Sequence, residues 1–323
     1  MNSIIFYKRA EDRWPIFVTC MITAFMVFLV AVPASQAADE MQKSFSSPEE
    51  AVKSLVSVVR EHNTEEMMVI LGPGSKELIY SGDEVADKEE REKFLNAYDK
   101  MNILQQESPD KVILCVGTDN WPMPIPIVKK GSTWVFDAIE GKQEILDRRI
   151  GRNELHVIDV LHAYVGAQHE YATRDCIGGG KVEFAQKLIS TEGKRDGLYW
   201  EAKEGEEESP LGPLVARAAK EGYADADLSP FHGYYFKILK GQGQHANGNA
   251  YDYIVDGKMI LGFALVAYPA EYGNSGVMTF IVNQEGIIYQ KNLGKNTKCI
   301  AEAMEIFDPD KTWKKFEETG EQK

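Results

Sequence analysis

One helical stretch set between two strand-rich segments most constrains the fold of this chain. From about Gly141 to Ala172, Leu155, Ile158, Leu161, Val165 and Gln168 step at three or four residues, the spacing of one helix face. On its N-terminal side, helix signals come first. Ser47 reads as an N-cap, Pro48 as N1 and Glu50 as the N3 partner of a capping box. Ala51, Val52, Leu55, Val58 and Val59 form the apolar face behind them. A second helix fits Thr64 to Leu71, stopped by Gly72-Pro73-Gly74. A third starts with Asp87 as N-cap and carries Phe94, Leu95, Tyr98 and Met101 on one side. Strands follow at Lys111 to Val116, Ile125 to Val128 and Trp134 to Asp137, the last two closed by Lys130-Gly131-Ser132. Helices first and an antiparallel sheet after them predict an α+β unit.

The C-terminal side repeats the theme. Residues 192–230 are rich in Gly, Pro and acids, which predicts loop with a short helix near Leu214 to Gly222. Strands are expected at Gly233 to Leu239, Met259 to Tyr268, Val277 to Val282 and Ile287 to Gln290, and a last helix at Thr297 to Phe307. Asn283-Gln284-Glu285-Gly286 is a hairpin break. Tyr268 to Gly273 is the bend that feeds it, with Tyr268, Glu271 and Tyr272 on its rim. Gly151 marks the boundary, giving units of 45–140 and 152–312.

The first 37 residues are expected to leave the protein. Lys8, Arg9 and Arg13 precede an apolar run from Ile16 to Val32, and Ser35-Gln36-Ala37 offers small residues where a signal peptidase reads. Cleavage after Ala37 leaves 286 of the 323 residues, bound for the periplasm or the exterior. The alternative is an N-terminal anchor. No later segment is apolar for long enough to span a bilayer. Removing three basic and two acidic residues makes the remainder one charge more negative than the −14 of the whole chain. Such a charge repels nucleic acid and anionic lipid. Cys20 stands too early to be a lipoprotein cysteine. Cys115, Cys176 and Cys299 allow at most one pair, and Cys115 reads as a buried small hydrophobe.

No motif spells out a reaction. His169-Glu170-Tyr171-Ala172-Thr173 has a threonine where a zinc protease needs its second histidine. Gly178-Gly179-Gly180-Lys181 lacks the earlier glycine and the hydroxyl residue of a phosphate loop. Gly273-Asn274-Ser275-Gly276 is followed by Val277, not by the glycine of a nucleophile elbow. His162 and His169 stand seven apart, about 10 Å along a helix, too far for one metal ion. No metal and no cofactor is expected.

The remaining candidates are surface residues. In Trp121-Pro122-Met123-Pro124-Ile125-Pro126 the prolines hold an extended backbone. Trp121 is either an aromatic platform or part of a strand protected from edge pairing. The cluster Arg148-Arg149-Ile150-Gly151-Arg152-Asn153-Glu154 either clamps an anion with Arg149 and Arg152 or pairs with acids at the junction. Asp196, Tyr199, Trp200 and Glu201 sit in a long loop, where binding groups concentrate. His232 stands in a turn among aromatics, and Tyr268 and Tyr272 at the bend complete the set.

These residues carry a resemblance. Ile70-Leu71-Gly72-Pro73-Gly74, Ser81-Gly82-Asp83, the Trp121 to Pro126 run, Arg148 to Glu154, Asp196 to Trp200, His232-Gly233-Tyr234-Tyr235 and Tyr268 to Phe280 together resemble the bacterial secreted family catalogued as domain of unknown function 2950. That resemblance implies no assigned activity. Residues 45–140 resemble small nuclear-transport-factor-2-like domains. From Arg152 onward, Asn153-Glu154, Gly166 to Ala172 and the Tyr268 to Gly286 hairpin resemble the globular part of type IV pilin-like proteins. The peptidase site and long apolar helix of a pilin do not precede Arg152. The expected role is non-catalytic binding or assembly with an envelope protein or glycan. The alternative is a periplasmic hydrolase at the junction using Asp196, Glu201 or His232 near Arg149 and Arg152.

Overall fold

The computed structural model describes residues 42–174, 182–203, 205–223 and 230–317. The signal segment, Cys20, Cys176 and Gly178 to Lys181 lie outside the described residues. The N-terminal elements are α1 (Pro48–Arg60), α2 (Thr64–Leu71), α3 (Lys76–Ile79), α4 (Glu84–Lys100), β1 (Asn102–Ser108), β2 (Lys111–Val116), β3 (Trp121–Pro122), β4 (Ile127–Lys130) and β5 (Thr133–Phe136). The long helix α5 (Ala138–Thr173) follows, then α6 (Gly212–Glu221). The C-terminal elements are β6 (Tyr234–Leu239), β7 (Gly241–Gln242), β8 (Tyr251–Asp252), β9 (Ile254–Val255), β10 (Lys258–Met259), β11 (Ala264–Pro269), β12 (Thr279–Asn283), β13 (Ile288–Lys291), α7 (Thr297–Glu302), β14 (Ile306–Phe307) and β15 (Lys314–Lys315). The architecture is α+β with antiparallel sheets.

Local chemistry explains the helix starts. Ser47 caps α1 by accepting the Glu50 N–H, and Pro48 opens the helix. The Glu50 carboxylate accepts the Ser46 N–H at 2.9 Å, one residue further back than a capping box requires. The expected apolar face of α1 is buried throughout. Helix α4 begins four residues earlier than the sequence suggests. Asp83 is its cap and accepts the Ala86 N–H at 3.0 Å, while Asp87 reaches back to the Ser81 N–H at 3.0 Å. Both aspartates look alike as caps, and the loop before the helix decides between them.

The first sheet runs β1-β2-β4-β5, with β3 paired to β2. Strand β1 carries no sequence signal because Asn-Ile-Leu-Gln-Gln-Glu-Ser is an almost wholly exposed edge strand. It pairs with β2 along most of its length. The second sheet runs β15-β13-β12-β11-β6, all antiparallel. The turn between β12 and β13 is closed by Gly286 N–H donating to Asn283 at 2.9 Å, with Gly286 at φ 72°, the conformation glycine permits. The strand expected over Met259 to Tyr268 divides into β10 and β11. The last helix ends at Glu302, since Ile306 and Phe307 leave it to pair with β7.

Residues Asp39–Lys323 group as one compact unit that holds two hydrophobic clusters. One joins α1, α2 and the first sheet through residues such as Leu55, Ile70, Leu114 and Ile127. The other joins the second half of α5 to the second sheet through Leu161, Tyr164, Val266 and Ile281. Helix α5 runs unbroken through Gly151. Its buried stripe is Val157, Ile158, Leu161, Tyr164, Gln168 and Tyr171, whereas Leu155 is 62 % exposed. Gln168 is buried because its amide is fully used: it donates to Ala185 O and accepts from Ala185 N, each at 2.8 Å.

Near its start α5 touches the proline run. A Cβ on Gly141 would lie 2.5 Å from the Pro124 carbonyl oxygen. Gly141→Ala gains helix propensity worth about 1 kcal/mol, yet it must push rigid backbone aside, at about 1–3 kcal/mol. The expected net result is a lower urea midpoint. An unchanged or raised midpoint would show that the helix and the proline run can part freely.

Candidate functional site

Of the residues singled out in the sequence, Arg149, Arg152 and His232 lie where the two clusters meet. Helix α3 has only four residues, and beyond Lys76 O, which accepts from Tyr80 N–H, the carbonyls of Glu77 and Leu78 need partners from elsewhere. Arg149 supplies them, donating to Glu77 O at 2.7 Å and Leu78 O at 2.8 Å. Its remaining contact is Asn274 Oδ1 at 2.5 Å. Asn274 in turn donates to Tyr80 O at 2.7 Å and to Glu271 Oε2 at 3.0 Å. Burial disfavours the Arg149 charge, and the nearby Asp87 carboxylate offsets this. The guanidinium is thus engaged by backbone and amide oxygens rather than presented to an incoming anion.

The same face of α5 holds the bend after β11. Asn153 donates to Ser275 O at 2.9 Å. Glu154 Oε1 accepts the N–H groups of Val277 and Met278 at 3.0 and 2.9 Å. Arg149, Asn153 and Glu154 therefore point inward at helical spacing. Arg148 and Arg152 point outward: Arg148 pairs with Glu144 and lies 5.3 Å over the Trp121 ring, and Arg152 is 3.3 Å from Glu90.

Asp83 forms the second half of this clasp. Its carboxylate caps α4 through one oxygen. The other accepts the Tyr223 hydroxyl and the Gly233 N–H, both at 2.8 Å. His232 and Gly233 have φ 49° and 76°, left-handed backbone that glycine adopts freely and histidine rarely. The His232 N–H donates to the Tyr223 hydroxyl at 3.3 Å. A Cβ at Gly233 would meet Asn153 Nδ2 at 2.7 Å, so this turn is tied to α5 as well.

Two histidine rings lie beside the turn. His156 and His232 have centroids 4.2 Å apart, and His232 Nε2 is 3.1 Å from Glu221 Oε2. Burial pushes both imidazoles below their ordinary value of 6.5. Asp83, Glu89, Arg217 and Lys93 face His232, while Arg152, Asp159 and Glu221 face His156. The unfolded chain therefore takes up protons at a higher pH than the folded one. Stability contributed by the neutral pair is present above pH 6.5 and is lost as pH falls toward the lowered values. The expected result is a urea midpoint that drops from pH 7 to pH 5.5, with a smaller drop in His156→Phe. An equal drop in both proteins would assign the effect elsewhere.

The other candidates occupy separate places. The Asp196 carboxylate accepts Thr191 N–H at 2.8 Å and Thr191 Oγ1 and Lys187 Nζ at 2.9 Å. Lys187 holds it well below the usual carboxylate range. Tyr199 pairs through its backbone with Leu188 and Ser190. Trp200 is buried, donates to Glu207 O at 3.3 Å and lies under Arg195. Glu201 is exposed. Tyr268 is buried beside Tyr235 at 5.7 Å, and Tyr272 bridges to Gly276. Trp121 is 41 % exposed. Among the described residues Cys115 and Cys299 are free, and no group of His, Cys, Asp and Glu is arranged to hold a metal ion.

Beside the Lys187–Thr191 turn runs a groove of about 570 Å³. Gln186, Leu188 and Ile189 form one wall, and Phe231, Phe236 and Ile238 form the other.

A family described as protein of unknown function (DUF2950) matches residues 42–316. The chain belongs to this family. No curated protein and no solved structure matches it. In this DUF2950 chain the matched span contains the whole clasp and both walls of the groove. The sequence places Asp83, Glu154 and Asn274 in the motif stretches without marking them as site residues, and it carries no signal for Tyr223. Asp83 is of a helix-capping residue type and stands four positions before the expected cap Asp87. Tyr223 follows the Gly222 helix stop inside an acidic loop, where nothing distinguishes it.

Proposed function

We propose that this DUF2950 protein is exported through its first 37 residues and acts in the cell envelope as a non-catalytic binding or assembly module for a protein or glycan. The supporting observation is how the polar motif residues are used. Arg149, Asn153, Asp83 and Asp196 direct their hydrogen bonds to the protein's own backbone and side chains, whereas the groove beside β6 is concave and mixes Leu188, Ile189, Phe231, Phe236 and Ile238 with the polar Gln186, Lys187, Ser190 and Thr191. The alternative hydrolase, using Asp196, Glu201 or His232 near Arg149 and Arg152, is less favoured because Asp196 engages Lys187 and Thr191 while Arg149 engages Glu77, Leu78 and Asn274. Among the described residues no helix is long and apolar enough to cross a membrane.

The two hydrophobic clusters support reading 45–140 and 152–312 as domains in close union. Helices before an antiparallel sheet favour the nuclear-transport-factor-2-like likeness of the first. A long helix against an antiparallel sheet favours the pilin-like likeness of the second.

The test is a turnover screen. Nitrophenyl esters, glycosides and phosphates, and casein, should be released no faster by the wild type than by Asp196→Ala or His232→Ala. Saturable turnover lost in either variant would overturn the binding reading. A fusion of residues 1–45 to alkaline phosphatase should be active outside the cytoplasm and begin at Ala38 after processing. A fusion retained in the cytoplasm would overturn export.

A further inference from the structure

We infer that the outer edge of β6 is a docking site for an extended peptide of a partner protein, which adds to the second sheet as a strand. The inference rests on the binding reading and names its partner class.

The register with β11 fixes which backbone groups face outward. Gly233 O accepts from Ala270 N at 2.9 Å, so the odd-numbered residues of β6 exchange bonds with β11 and the even-numbered ones face away. Of these, Tyr234 bonds to Phe231 in both directions, at 2.9 and 3.2 Å. At the far end Lys240 N–H donates to Glu305 O, and Lys240 O accepts from Tyr253 N. Between these closed ends, the N–H and C=O of Phe236 and Ile238 face the groove with no partner among the described residues.

The opposite edge of the sheet is treated differently. There β15 covers β13 with Lys314 and Lys315, and Phe316 N–H donates to Ile288 O. Short strands and lysines are the usual protection of an edge. Among the described residues strand β6 has no such guard. Its only charge, Lys237, turns its ammonium to Glu302 O, Met304 O and Glu305. Two donors and two acceptors at strand spacing match another peptide backbone, not a sugar ring. At about 3.3 Å per residue, the open stretch fits roughly four residues. Leu188, Ile189, Phe231, Phe236 and Ile238 favour apolar side chains at some positions, and Gln186, Ser190 and Thr191 offer polar contacts at others. Asp196 is a positioning residue here, since it fixes the Lys187–Thr191 wall.

The experiment selects binders from a displayed library of random heptapeptides on the full protein, then measures the best peptide by fluorescence anisotropy. The peptide is next N-methylated one position at a time, which alters no residue of the protein. Expected are losses of tenfold or more at every second position, near-unchanged binding between them, and slowed amide exchange at Phe236 and Ile238. Asp196→Ala should weaken binding several-fold while Asp196→Asn restores part of it. No selected peptide, or losses without the period of two, overturns the inference. A dimer that protects the same two amides overturns it in favour of a second copy. Peptidoglycan fragments that bind the groove while peptides do not would sink the peptide inference and leave the binding reading standing.

Discussion

Replacing Arg149 with alanine is expected to lower the stability of the folded chain by about 3 kcal/mol. The change strands the carbonyls of Glu77 and Leu78 and the amide oxygen of Asn274. Fully buried orphaned acceptors cost about 1–3 kcal/mol each; here the Glu77 contact is exposed and the other two are part-buried, so water returns part of the loss. It also removes the positive charge facing Asp87, whose carboxyl burial already pushes upward. Arg149→Lys should recover less than half of the loss, because one ammonium cannot reproduce the planar fork. Urea denaturation measures both. A loss below about 0.5 kcal/mol would mean that the guanidinium is solvated and free to hold an anion.

Asp83→Ala is the second large effect, again about 3 kcal/mol. It removes the cap of α4, worth about 1 kcal/mol. It also orphans the Tyr223 hydroxyl and the Gly233 N–H, about 1–3 kcal/mol each before relaxation. Asp83→Asn keeps one accepting oxygen and should recover roughly half. The distinguishing readout is amide exchange. Gly233 and Ala86 should both exchange faster in Asp83→Ala, since one carboxylate serves both. Faster exchange at Ala86 alone would reduce Asp83 to a helix cap.

The outline of the fold was legible because its signals are local. Ser47 and Pro48 set the start of α1, and Asn283 to Gly286 set the β12–β13 turn. What could not be read depends on tertiary partners. Strand β1 is polar and owes its conformation to its pairing with β2. Leu155 fits the helical stripe by spacing yet faces solvent, because the stripe turns with the helix and the sheet lies on one side only. The same holds for the clasp. The basic cluster at Arg148 to Glu154 left an anion clamp and a junction open, and the sequence could not say which arginine turns inward. The structure separates them: Arg149 turns in, Arg148 and Arg152 turn out. The Tyr268 bend had the look of a rim for ligands. Its Asn274 and Ser275 instead receive Arg149 and Asn153, contacts 125 and 122 residues apart in sequence.

The central claim is that these motif residues fasten the two hydrophobic clusters together and leave ligand binding to the β6 groove. The most direct test is a double-mutant cycle on Arg149 and Asn274. Stabilities of the wild type, Arg149→Ala, Asn274→Ala and the double variant are measured by urea denaturation. A coupling of about 1–2 kcal/mol between the two positions is expected for groups in one buried network. Additivity within about 0.3 kcal/mol would contradict the clasp and return Arg149 to the pool of groups free to bind a ligand.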